Sequence, residues 1–314
     1  MSVPAALRTV LHGLLLIVGV TFVSFLLMVW FGPDQTYTLI GKNATAGQIA
    51  EVRHELGYDR PFLARYADFL VDLATLDLGA SNSSGERVTS LLARTTPVTL
   101  ALMLPGFLLG NLLGIALGLL SAQQHGRWSD RLVSALSVIG MSVSFLVIII
   151  ALQVLLSTPY GFDLFPVRGW QVSDLPSYLR YVAVPTLALL LVTTGYNTRF
   201  YRAVFVEEIG RDHIRTARAF GTAPSVILWK HVLRNSLVPI ITRMLFSIPL
   251  VVISGSLLIE TYFGIPGIGK VTFEAITNGD QPVLKAVVAL TALAFVLIQV
   301  AADMLYRLVD PRAA

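Results

Sequence analysis

The 314-residue chain is 55% hydrophobic and only 13% charged, with a mean hydropathy of +0.72; soluble domains carry roughly 25% charged residues, so an ordinary soluble fold is excluded. A formal charge of +4 does not point to nucleic acid, because the basic residues sit beside long apolar runs, where they report membrane orientation. The absence of cysteine rules out disulfides, thiolate metal sites and a cysteine nucleophile.

A spanning helix needs about 20 apolar residues. Six stretches qualify, near residues 10–31, 98–120, 132–156, 181–204, 237–260 and 284–306, so the chain reads as an all-α integral membrane protein with six transmembrane helices. The first is too long for a cleavable signal, and Trp30 and Phe31 stand where small cleavage-site residues belong. The fourth has an uncharged core only from Tyr181 to Thr198; Arg199 and Arg202 beyond it are expected to snorkel. The segment 199–236 holds seven Lys and Arg, against two in 157–180. The former is therefore cytoplasmic. With six spans both termini lie inside, in keeping with Arg8, Arg307 and Arg312, and residues 33–97 lie outside. The expected organisation is 1–32 as tail and first span, 33–97 as an extracytoplasmic helical segment, and 98–314 as a five-helix core containing a cytoplasmic loop, 205–236.

In the outer segment, Thr45 with Gln48 forms a capping-box signal for a helix that Gly57 closes, and Pro61 opens another. Phe62, Phe69, Leu70 and Leu73 give one apolar face; Val88, Leu91 and Leu92 give another after Ser83 and Glu86. Two readings stay open: helices lying on the outer membrane surface, or a packed external cap.

The second span places Gly106, Gly110, Gly114 and Gly118 on one face, allowing close helix approach. That face is either a moving or inter-subunit interface or internal packing. Pro105, Pro185, Pro239 and Pro249 permit kinks. Polar residues are costly inside spans and face a cavity or a neighbouring helix; Asn111, Gln153, Arg243 and Glu260 are the candidates for lining a translocation path. Asp303 and Arg307 are spaced to pair with each other.

Gly264–Lys270 imitates the start of a P-loop but has Val271 where Ser or Thr is needed and lacks the strand-to-helix context. It reads instead as a turn ending the fifth span. The five histidines are scattered, with no metal or catalytic spacing. The chain reads as a non-catalytic subunit with no cofactor of its own.

Residues 207–239 are the most informative. Residues 207–220 read as one helix that Gly221 ends, and Pro224 restarts the chain after Thr222. Val226 to Leu233 then supplies more apolar surface than an exposed loop tolerates, as docking to a cytoplasmic protein requires.

The run R-T-A-R-A-F-G followed by H-V-L-R-N-S-L-V-P (Arg215–Gly221, His231–Pro239) resembles the coupling loop of permease subunits of binding-protein-dependent ABC importers, most closely the dipeptide and oligopeptide (DppB and OppB) type. The general motif has Glu-Ala-Ala with Gly further on; here Arg215, Thr216 and Ala217 precede Gly221, so no ion pair from that Glu carries over, while Ala217 and Gly221 do. Glu55–Pro61, Arg65, Tyr66, Leu76–Gly79, Glu260–Gly269 and Leu308–Arg312 are similar to further family landmarks. The resemblance implies a multi-pass protein of the bacterial inner membrane that forms half a channel for di- and oligopeptides. It also implies a second homologous permease, two cytoplasmic ATPases that bind ATP and Mg, and an extracytoplasmic substrate-binding protein. Arg215, Thr216, Ala217, Phe220, Gly221, Thr222, Ala223 and Pro224 would couple to the ATPases. Nickel, glutathione or haem are alternative cargoes. An ion-gradient transporter is the rival reading, and it would need a buried relay near the midplane.

Overall fold

The computed structural model describes residues 3–31, 36, 40–41 and 45–309; Arg8, whose side chain is not described, and Arg307 and the Leu308–Arg312 landmark fall outside what it describes in side-chain detail, as does the Asp303–Arg307 pair. In chain order the helices are α1 (Val3–Phe31), α2 (Ala46–Glu55), α3 (Phe62–Thr75), α4 (Val88–Gln123), α5 (Trp128–Ser142), α6 (Phe145–Ser157), α7 (Leu175–Ile209), α8 (Asp212–Ala219), α9 (Pro224–Val226), α10 (Leu237–Pro249), α11 (Ser256–Phe263), α12 (Ile268–Asn278) and α13 (Gln281–Val309). Two π-helical stretches, Ile227–Leu233 and Leu250–Gly255, continue α9 and α10. The described residues contain no β-strand beyond one isolated bridge, Ala80 with Arg87.

Five helical segments are long and apolar enough to cross a membrane, and the α5–α6 pair makes a sixth if its two halves count as one span. They do. Gly106, Gly110, Gly114 and Gly118 of α4 face Leu189, Thr193, Asn197 and Tyr201 of α7 in rising order, so α4 and α7 run parallel. A chain that enters two parallel spans must cross back once between them. The expected straight span at 132–156 is corrected, however: the pair bends by 96°. Val143 adopts extended backbone and Ser144, at φ −57° and ψ 134°, also leaves the helical region, and the Ser142 hydroxyl turns back to the Val138 carbonyl at 2.7 Å, a bond that competes with helical pairing.

The chain divides into two compact units, Met1–Thr99 with Pro266–Val300, and Leu100–Ile265 with Ala301–Ala314. Residues 266–300 thus pack with the N-terminal segment. In the first unit Val88, Leu91 and Leu92 belong to the start of α4, not to a separate outer helix, and are buried with Ile268, Ala275, Val283, Ala286 and Val287. Asp280 seals this cluster's rim, accepting from the Ser81 hydroxyl at 2.6 Å and the Ser83 amide at 3.2 Å.

In the same unit the Thr45–Gln48 capping box forms. Gly57, at φ +65°, ends α2 with the paired bonds Tyr58 N to Arg53 O and Gly57 N to His54 O, each 2.9 Å, the arrangement of a Schellman stop. Helix α3 turns its apolar face onto α1: Phe25, Tyr66 and Phe69 are buried with Ala289, and Phe22, Val29, Phe62, Leu70 and Leu73 pack around them. The Tyr66 hydroxyl donates to the Val18 carbonyl at 2.7 Å and lies 3.0 Å from Thr21 Oγ1. The apolar face of α3 is thus covered by the chain's own α1 and α13.

Candidate functional site: the cytoplasmic elbow and the seam behind it

All residues here belong to the second unit. The glycine face of α4 is an internal seam. A Cβ built on Gly110 would lie 1.9 Å from Thr193 Oγ1, and one on Gly114 would lie 2.7 Å from Asn197 Cβ. Gly106 and Gly118 would each place a Cβ about as close, 3.0 Å, to Leu189 Cβ and Arg202 N. The helix backbones therefore approach to a distance that only glycine permits. Where the seam is closest, Asn111 is fully buried; its Oδ1 accepts from Tyr201 Oη at 2.6 Å and Asn197 Nδ2 at 3.0 Å, and its Nδ2 donates to the Phe107 carbonyl at 2.9 Å. A buried amide satisfied in this way fixes the register of two helices.

Below the seam, Arg202 does not snorkel. Its guanidinium clasps Asp130 through Nε to Oδ1 at 2.6 Å and Nη2 to Oδ2 at 2.8 Å. Asp130 also accepts from the Ser121 hydroxyl at 2.5 Å and the Gly126 amide at 2.9 Å. One carboxylate thus ties α4, the following turn, α5 and α7 together. The bidentate geometry is the strong form of this contact. Sequence reading missed Asp130; its signal was an acidic residue opening an apolar helix, but its partner stands 72 positions away.

Helix α7 ends at Gly210, so the expected single helix over 207–220 is corrected to the last turn of α7 and a separate α8. The corner is held by Glu208, which is buried and meets Arg211 Nε at 3.0 Å, and by Asn235, whose Nδ2 lies 3.1 Å from His213 Nε2. Gly221, at φ +74°, stops α8 through Thr222 N to Ala217 O at 3.1 Å and Gly221 N to Arg218 O at 3.0 Å. Pro224 then occupies the first position of α9, where its missing N–H costs nothing.

The elbow has a docked base and a bare tip. Ile214, Ile227 and Val232 are buried with Leu119, Ala122, Tyr201, Phe205 and Ile240, while Ala217, Leu228 and Leu233 pack around them. Phe220 is 84% exposed and Trp229 65% exposed. Arg215, Thr216, Thr222 and Ala223 lie along the same α8–α9 bend, with Arg215 and Thr216 exposed and Arg215 near Asp212 at 3.5 Å. Burial of the base makes the bend a rigid piece of the chain. Exposure of the tip leaves two aromatic rings for something else to cover.

Of the expected path residues, Asn111, Gln153 and Glu260 are buried within the chain. Gln153 donates from Nε2 to the Val167 carbonyl at 2.6 Å and accepts from the Tyr262 hydroxyl. With Arg168 Nε on the Tyr262 carbonyl at 2.9 Å and Gly169 N on the Phe263 carbonyl at 2.7 Å, it pins the 158–174 loop to α11. Glu260 sits in the last turns of α11, and Gly264 caps that helix at φ +71°, which accounts for the P-loop imitation. Arg243 is half-buried with its guanidinium 5.2 Å from the Phe200 ring centroid. No group of three His, Cys, Asp or Glu among the described residues could hold a metal ion.

Residues 114–314 match the family described as binding-protein-dependent transport system inner membrane component, and residues 5–103 match the N-terminal component of the same transport systems. A peptide transport system permease of Brucella abortus (strain 2308) is 33% identical over 310 residues, 98% of this chain and 97% of its own length. A glutathione transport system permease of Pectobacterium atrosepticum is 33% identical over 303 residues, 96% of each chain. Among solved structures, a chain of the inward-facing methionine ABC transporter MetNI aligns with a TM-score of 0.56 at 21% identity, covering 71% of this chain and 97% of that one; the likeness is one of fold.

Proposed function

The chain belongs to the family of inner membrane components of binding-protein-dependent transport systems, a multi-pass bacterial inner membrane permease of the ABC importer type, and from that premise we propose that it imports short peptides by coupling through the Gly221 elbow. The observation that carries the coupling is the contrast between a buried base at Ile214, Ile227 and Val232 and bare rings at Phe220 and Trp229. A cytoplasmic ATPase groove would cover the rings. Closure of the ATPase pair on ATP would then move the elbow as a rigid body, and with it α7 and α10. Such a partner exerts leverage only through contacts that differ between its two states. A second homologous permease would complete the channel, and an external binding protein would deliver cargo and set selectivity.

Peptide cargo draws support from the relatives: one is named for peptide and another for glutathione, which is itself a small peptide. Both cargoes offer a peptide bond flanked by charged termini. The test is uptake into vesicles holding the complete importer, with a dipeptide, a longer peptide, glutathione and nickel offered in turn. ATP-dependent entry of the peptides is expected. Entry of nickel alone would overturn the cargo, and uptake that survives ATP depletion but collapses with the proton gradient would overturn the energy source.

A further inference from the structure

A cavity of about 550 Å³ opens in the first unit, away from the elbow. Phe25 and Phe69, stacked at 5.6 Å, wall it together with Arg65, Asp72, Asp77 and Lys285. Its charges are of two kinds. The Lys285 ammonium lies 5.3 Å from the Phe25 ring centroid and forms no ion pair with any described carboxylate. Asp72 and Asp77 form none either, and burial, followed by the nearby Asp77 and Asp68, raises the carboxyl of Asp72. Arg60 and Asp68, also on the wall, already hold each other, and Arg65 stacks 4.7 Å from the Tyr58 ring centroid. Lys285 and Asp72 attract each other across the cavity without closing into an ion pair within bonding distance, so a half-buried cation on an aromatic face and the crowded carboxylates opposite it would each be stabilised further by an opposite charge brought between them.

Position narrows the ligand. Phe25 precedes the end of α1 by six residues and Lys285 follows the start of α13 by four, so at a rise of about 1.5 Å per residue the floor lies roughly 6–9 Å inside the ends of two spans. That is the level of lipid head groups. We propose that this cavity binds a zwitterion carrying a primary ammonium beside an anionic group, the ammonium on Asp72 and Asp77 and the anion on Lys285. The source is either a phosphatidylethanolamine head group or a small soluble amino compound.

The experiment takes the full-length chain in its complete complex and offers phosphatidylethanolamine, phosphatidylcholine or phosphatidylglycerol, with retained lipid read by native mass spectrometry. Melting is followed in parallel with alanyl-alanine. Retention of phosphatidylethanolamine over phosphatidylcholine by about tenfold, the worth of one charge-assisted hydrogen bond, identifies the lipid source. A melting shift with alanyl-alanine identifies the soluble one. In either case Lys285→Gln must weaken binding to all zwitterions. The exposed Asp77→Asn, which breaks no described side-chain bond, must remove the preference for the primary amine. Equal retention of the three lipids with no dipeptide shift overturns the proposal, as does unchanged binding in both variants.

Discussion

Helix α3 of the outer cap and the α8–α9 elbow are both short amphipathic pieces outside the long spans, and they treat their aromatic residues in opposite ways. In α3, Tyr66 and Phe69 are buried against Phe25 and Ala289. In the elbow the aliphatic residues are buried and the rings of Phe220 and Trp229 remain outside. The cap is thus completed by its own chain, whereas the elbow is a finished support with an unfinished surface. A hydrophobic ring left on a rigid support is what a partner requires of a docking point.

The comparison breaks most forcefully if the support is removed. Asp130→Ala leaves the Arg202 guanidinium without its carboxylate, and one-sided loss of a buried pair costs about 3–5 kcal/mol. The complex should yield little folded chain, and Asp130→Asn should recover part of it; wild-type melting in Asp130→Ala would refute the clasp. Next in size, Phe69→Ala should cost about 3 kcal/mol through the cavity it leaves. Trp229→Ala, by contrast, should shift the stability of the chain by no more than about 0.5 kcal/mol while reducing ATPase association and transport about tenfold or more. Equal effects of the two on melting would erase the distinction between cap and elbow.

Gly221 sharpens the comparison further. A Cβ there would meet nothing within 4 Å, yet φ is +74°, so substitution acts through the backbone alone. Gly221→Val should cost about 1–2 kcal/mol and uncouple ATP hydrolysis from uptake, whereas Gly221→Asn, which tolerates this conformation, should keep both. Identical transport by the two variants would show that the bend's shape is immaterial. The smallest effect belongs to the opposite end of α7. The Ser177 hydroxyl and amide hold the Asp174 carboxyl below its ordinary range. A depressed carboxyl stabilises above its unfolded pKa and loses that contribution as pH falls through the folded value. Acid melting curves should therefore show a small loss below about pH 4 that Asp174→Asn abolishes; an unchanged acid limb in that variant would remove the cap from the account.

The helices whose signals are local were legible beforehand. The Thr45 box, the stops at Gly57 and Gly221 and the restart at Pro224 each depend on residues within one or two turns, and each forms. The four glycines of α4 announced a close crossing, but whether the neighbour would be α7 or another subunit had no local signature. The α5–α6 bend was hidden because neither Pro nor Gly stands at Val143 and Ser144, and the corner at Gly210 was masked by helix-forming residues on both sides.

By itself the amino-acid sequence determined the lipid-solvated class, the number of crossings, the cytoplasmic position of the elbow and the family resemblance. All of these follow from apolar run length, charge bias and short motifs. Tertiary structure alone decided which polar residues face one another. Asn111 meets Tyr201 and Asp130 meets Arg202 because helices distant in the chain pack side by side, and a buried polar atom takes its meaning from the partner that packing brings within bonding distance.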